Sequence, residues 1–279
     1  MIIFGPAGIG GVKEAIFNLE SFHKLGLKAC EIAFTYGIYI KNDKDALEIG
    51  KKARELGIKL SIHAPYWLNL NSEDKEKIEA SKKRILDCCK IGEIMGAEIV
   101  VFHAGFYSKM SKEETFQNIK RVVLEILSEI KKNNWKIKIA PETMGKINVF
   151  GSADEILRLV QETGCSFCLD FAHLWAREQG KISYSEIYNK FKNFSSIHAH
   201  FSGIDFSDKG ERSHKPTPEK EIEKLLSSLP RPQNSLEENF GAQKIHKRFS
   251  WNKDITIINE APNPIQDAEK MLKIWEKSS

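Results

Sequence analysis

Apolar positions along the chain come in short runs separated by longer amphipathic stretches. The runs are Ile2–Gly5, Ala29–Phe34, Lys59–His63, Ile99–His103, Ile137–Glu142, Ser166–Asp170, Ser196–Phe201 and Thr256–Glu260. All are of strand length. Two of them, IVVFH and IKIAPE, are almost continuously apolar, as strands covered on both faces are. Between the runs lie segments of helical period. In Asp43–Leu56 the residues Ala46, Ile49, Ala53 and Leu56 recur on one helix face. Lys75–Met95, Lys112–Lys132, Asp154–Thr163, Tyr184–Phe191, Glu219–Leu229 and Gln266–Lys277 behave alike. Strands alternating with helices predict a parallel sheet. Eight such units in 279 residues predict an α/β chain closed into a (β/α)8 TIM barrel, with residues 1–279 forming a single domain. A doubly wound open sheet shares the alternation, but no glycine-rich phosphate loop follows any of the strands.

One stretch breaks the pattern. Residues 230–253 open with Pro230-Arg231-Pro232 and read as an irregular insertion before the last strand. They carry Arg231, Lys244, Lys247, Arg248 and Lys253 interleaved with Phe240, Phe249 and Trp251. Cations mixed with aromatics suit a nucleic-acid surface. The same composition also suits a solvated insertion with a small core of its own.

Charge and composition narrow the class without choosing a substrate. A formal net charge of +4 permits a polyanionic partner but does not require one. No apolar run approaches the ~18 residues of a membrane span, and no secretory leader is evident. The expectation is a cytoplasmic protein without membrane association. The five cysteines, Cys30, Cys88, Cys89, Cys165 and Cys168, show no zinc-finger spacing and read as small buried residues.

The chemistry is positional. Strand three ends in His63, strand four in His103, strand five in Glu142 and strand six in Asp170, with His173 just beyond. Strand seven carries His198 and His200, and strand eight ends in Glu260. In a parallel barrel these ends converge on the face that holds the active site. Any one of them alone reads as a structural histidine or a helix cap. Together, clustered carboxylates would repel unless a cation sat among them. Mixed imidazole and carboxylate suits zinc, manganese or iron better than magnesium or calcium. The donors suffice for two or three ions, and paired ions can clamp a phosphodiester during hydrolysis. His198 and His200 share a strand face; His200, nearer the active end, is the expected ligand, and His198 a supporting or core residue. His23 and His246 read as non-catalytic.

The segments IHAPYWLNL (62–70), VFHAG (101–105), APETMG (140–145), CLDFAH (168–173), HAHFSG (198–203) and INEAPN (258–263) resemble the endonuclease IV family of apurinic/apyrimidinic endonucleases over nearly the whole chain. The resemblance implies a monomeric, xylose-isomerase-like barrel with three zinc ions. It hydrolyses the phosphodiester 5′ to an abasic site in double-stranded DNA, leaving a 3′-hydroxyl and a 5′-deoxyribose phosphate. It implies one ion on His63, His103 and Glu142, and a second sharing Glu142 with Asp170, His200 and Glu260. The third would take His173 and an Asp-x-His pair. Glu142 would bridge ions and act in catalysis. The chain departs from the family at that pair, reading Glu211-Arg212-Ser213-His214. His214 is the expected substitute, with Glu211 or Asp208 as its carboxylate. Tyr66 matches a side chain that the family inserts into DNA. Asn69 in the same loop and Arg248 in the insertion are further DNA-facing candidates. A single-metal sugar isomerase or epimerase on the same barrel is the alternative, using Glu142, Asp170, His200 and Glu260 alone.

Overall fold

The computed structural model describes residues 1–230, 239–240, 243–244 and 253–278. β1 (Ile2–Pro6) leads through α1 (Ala15–Lys24) to β2 (Ala29–Ala33). Then follow α2 (Asp43–Leu56), β3 (Lys59–His63), α3 (Lys75–Met95), β4 (Ile99–Phe102), α4 (Lys112–Lys132), β5 (Lys138–Pro141) and α5 (Ala153–Thr163). β6 (Cys168–Asp170) runs straight into α6 (Phe171–Arg177), which precedes α7 (Tyr184–Phe191) and β7 (Ser196–Phe201). A hairpin, β8 (Gly203–Ser207) and β9 (Gly210–Lys215), comes before α8 (Glu219–Ser228). A short antiparallel ribbon, β10 (Asn239–Phe240) with β11 (Gln243–Lys244), precedes β12 (Asp254–Asn259) and α9 (Pro264–Lys277).

The parallel strands form two groups of four, β2-β3-β4-β5 and β1-β12-β7-β6. Single-residue bridges, Ala7 to Glu31 and Glu142 to Cys168, join the groups and close the barrel. The fold is therefore the single-domain α/β barrel that the alternation predicts. Helix starts follow from local chemistry. Ser111 with Glu114, Ser152 with Glu155 and Ser183 with Glu186 form reciprocal capping boxes at α4, α5 and α7. The inward faces of these helices, such as Ile119, Val122, Val123 and Ile126 of α4, are buried against the sheet. All five cysteines are free and buried.

Helix α1, helix α6, the β8–β9 hairpin and the β10–β11 ribbon have no counterpart among the runs named from the sequence. The β8–β9 hairpin fills the space between β7 and α8, and α6 begins at the last residue of β6. Most of the expected insertion at 230–253, including Arg248 and His246, lies outside the described residues. No helix among the described residues is long and apolar enough to cross a membrane.

Candidate metal centre

The strand ends deliver their polar residues to one buried cluster. β3 brings His63, β4 is followed by His103, β5 by Glu142, and β12 by Glu260. β6 ends in Asp170 and β7 holds His200. His173 lies in the first turn of α6, because Asp170 caps that helix: its Oδ1 accepts the backbone N–H of His173 at 2.7 Å. The donor atoms fall into overlapping groups: His63, His103 and Glu142; Asp170, His173 and His214; and Glu142, Asp170, His200 and Glu260. Within each group the atoms lie within 4.8 Å of one another. Glu142 belongs to two groups, so its carboxylate sits between them.

Tautomers show why this cluster needs cations. His63 Nδ1 lies 2.7 Å from the Ala64 carbonyl, His173 Nδ1 is 3.0 Å from that of Thr143, and His214 Nδ1 is 3.1 Å from that of Glu260. A carbonyl only accepts, so each Nδ1 carries hydrogen and each neutral ring keeps its lone pair on Nε2. Those lone pairs point at one another and at carboxylates. His173 and His214 face each other, Nε2 to Nε2, at 3.2 Å. His63 Nε2 stands 3.2 Å from Glu142 Oε2. Each such contact is repulsive unless a proton or a metal ion lies between. Asp170 Oδ2 is buried with no hydrogen-bond partner among the described residues. The donor set therefore fits divalent metal ions of the borderline class.

Electrostatics agree. Burial would raise Glu142, but His200 and hydrogen bonds from His103, His173 and His200 hold it well below its ordinary range. Burial, helped by the Glu142 and Glu260 carboxylates, raises Asp170 to about 6. Burial opposes charge on His173 and His200, yet the surrounding carboxylates (and, at His200, Cys168) carry both well above the usual imidazole value. His103 is pushed down, chiefly by burial.

The cluster floors a pocket of about 380 Å3. Leu68, Phe106, Met144 and Val149 form apolar walls, and Lys146 supplies a cation. The Tyr66 ring stacks on His103 with centroids 5.3 Å apart and planes 9° from parallel. Asn69, expected to face DNA, has its side-chain oxygen committed to the loop: it accepts the Asn71 N–H at 3.0 Å. Gly105 beside it has φ +137°, and a Cβ there would come within 2.4 Å of Asn69 Oδ1. Of the two candidate carboxylates beside His214, Glu211 approaches His173 Nε2 at 3.4 Å, whereas Asp208 is exposed in the hairpin turn. Gly145 permits that approach, since a Cβ there would meet the Glu211 Cβ at 2.6 Å.

Sequence reading missed two supports. Arg177, at the far end of α6 from His173, is buried and donates to the carbonyls of Met144, Lys146 and Val149 at 3.2, 2.6 and 3.0 Å, fixing the loop that walls the pocket. Glu31 of β2 is fully buried against His198 and His200. A carboxylate inside an apolar strand, ACEIA, was the available signal.

A family model described as a xylose isomerase-like TIM barrel matches residues 19–228. The chain belongs to the xylose isomerase-like TIM barrel family. A relative within reach of full length is "uncharacterized protein MJ0133" of Methanocaldococcus jannaschii, 38% identical, covering 99% of this chain and 98% of that one. More distant is a probable endonuclease 4 of Mycobacterium leprae, 28% identical over 51% of this chain and 54% of its own length. Among solved structures, endonuclease IV from Thermus thermophilus superposes with TM-score 0.68 at 18% identity, covering 99% of this chain and 100% of its own. D-psicose 3-epimerase from Clostridium cellulolyticum superposes with TM-score 0.65 at 14% identity, covering 99% of this chain and 98% of its own. At these identities the structures show a shared barrel alone. Family membership and the buried donor clusters make the chain a metal-binding barrel of the xylose isomerase-like kind.

Proposed function

We propose that the protein is a zinc-dependent nuclease that hydrolyses the phosphodiester 5′ to abasic sites in double-stranded DNA. The observation that carries this reading is the number of donors. A single-ion sugar epimerase needs only Glu142, Asp170, His200 and Glu260. It leaves unexplained why His63 and His103 converge on the other edge of Glu142, and why His173, His214 and Glu211 meet beside it. Three adjoining clusters suit the in-line displacement of a phosphodiester, where attacking and leaving oxygens both need stabilising. The probable endonuclease 4 relative points the same way.

When bound, the ions would supply Lewis-acid activation of the phosphodiester and of water. The chain's own residues do the rest. Glu142 spans two donor groups, holding His63 and His103 on one oxygen and His200 on the other. It thereby fixes their spacing and orients the nucleophile. His214 and Glu211, carried on β9, close the cluster on the side of His173. Tyr66 presents a flat face at the pocket mouth where an abasic sugar lacks its base. Beyond it, Tyr36 and Trp67 are exposed large aromatics with ring centroids 6.1 Å apart, suited to stacking on bases.

The test is a duplex with one abasic-site analogue, incubated with and without chelator. Chelator-sensitive incision on the 5′ side of that site is expected, and Glu142→Gln should abolish it while most metal is retained. Absence of incision by metal-loaded protein, together with turnover of a ketose, would replace the nuclease reading by the epimerase.

A further inference from the structure

His200 differs from the other imidazoles of the cluster. His63, His173 and His214 each anchor Nδ1 on a backbone carbonyl and aim Nε2 at the site. His200 is reversed. Its Nδ1 faces Glu142 Oε1 at 3.2 Å and Glu260 Oε2 at 3.4 Å, and its Nε2 faces Glu31 Oε1 at 3.0 Å. Neither His200 Nε2 nor Glu31 Oε1 has a well-formed hydrogen bond among the described residues, and their mutual approach at 3.0 Å is an ion-pair distance without good hydrogen-bond geometry. Glu31 Oε2 is already engaged. It receives the Ser61 hydroxyl at 2.8 Å and stands 3.1 Å from His198 Nε2. Ser61 is the register partner of Glu31 across β2 and β3. The carboxylate is therefore held from three sides inside the barrel, with one oxygen turned to His200.

We propose that Glu31 is the positioning residue of the metal centre. It accepts the Nε2–H of His200, fixes that tautomer, and thereby presents Nδ1, rather than Nε2, as the ligand atom. His198 and Ser61 hold Glu31 in place for this task. A carboxylate behind a metal-bound imidazole sets ring orientation and raises ligand basicity, and losing such a partner weakens metal binding by about 10–100-fold. The proposal rests on the metal-centre reading but on neither proposed substrate. It also explains why a charged residue occupies the apolar strand ACEIA, where burial without a partner would be costly.

The experiment loads the full chain, labelled with 15N-histidine, with 113Cd2+ and reads cadmium–nitrogen couplings by NMR, the His200 signals being assigned by their loss in His200→Gln. Wild-type protein should couple cadmium to Nδ1 of His200 and show a protonated Nε2, whereas His63 couples through Nε2. Glu31→Gln should weaken the ion at His200 by about 10–100-fold, because its amide cannot accept from both His198 and His200. The coupling at His63 should survive in the same sample. Coupling of His200 through Nε2 in the wild type would overturn the proposal without any variant. So would unchanged cadmium affinity and tautomer in folded Glu31→Gln. Cys168, His198 and His200 form a further buried donor group, and an additional cadmium coupled to His198 with Cys168 would overturn the proposal too, making that group a metal site of its own. No DNA or sugar enters the measurement, so failure of the nuclease reading leaves its outcome unaffected.

Discussion

Metal loading should release protons, and the structure sets how many. In metal-free protein the Nε2-to-Nε2 contact of His173 and His214 must hold one. His63, with Nδ1 on a carbonyl and Nε2 on Glu142, must hold a second proton on its ring. His200, lying between Glu31 on one nitrogen and Glu142 with Glu260 on the other, must do the same. His103 adds none, because its neutral form can donate Nε2–H to Glu142 at 3.0 Å. The sum of these contacts, one plus one plus one, is three protons displaced on full loading. The sign follows from the raised values of His63, His173 and His200: they stay charged above the ordinary imidazole range, so ions compete with protons near neutrality. Each displaced proton costs about 1.4 kcal/mol of binding per pH unit lowered, or about 4 kcal/mol for three. Below pH 6 Asp170, raised to about 6, adds another. Calorimetric zinc titrations in buffers of differing ionisation enthalpy would count the protons. Release of fewer than one near neutral pH would refute the tautomer argument.

Removing metal should leave a protein whose stability falls as pH rises, since the stabilisation from raised histidines is present below about 6.5 and lost as pH climbs through their folded values. The gap in Tm between loaded and chelated protein should widen from pH 6 to 8, which scanning calorimetry would show; a constant gap would contradict it. Arg177→Met should cost about 2–4 kcal/mol in urea unfolding, because three carbonyls of the pocket loop, two of them in buried contacts, lose their donor; a loss below about 0.5 kcal/mol would mean the loop holds itself. Replacing both Tyr36 and Trp67 by Ala should weaken binding of abasic duplex by about 1–3 kcal/mol in fluorescence polarisation, with the metal content unchanged. Unaltered affinity would remove these rings from the DNA surface.

The barrel was legible because its period is local. Continuous apolar runs and helical repeats each declare themselves within a window, and the bounds of α2, α3, α4 and α7 match the sequence expectation residue for residue. The site was legible where position along a strand sufficed, as for His63, His103, Glu142, Asp170 and Glu260. What pattern reading lost depends on contacts distant in sequence. Glu31 meets His198 across 167 positions. Arg177 reads as an ordinary surface cation until its helix is laid beside the loop after β5. The hairpin that brings Glu211 and His214 to His173 has no apolar run to mark it, since β9 is largely solvent-facing.

The closure of the barrel gives the centre a mechanical meaning. Two four-stranded halves are joined by single-residue bridges and a few further backbone hydrogen bonds, and those bridges involve Glu31 and Glu142. One half contributes His63, His103 and Glu142; the other contributes Asp170, His200 and Glu260. A cation held among them would draw donors from both halves at once, and so would act as a rivet through the seam. Chemistry and fastening would then share the same atoms, and the seams with the shortest strand ladders would gain a fastening from the centre itself.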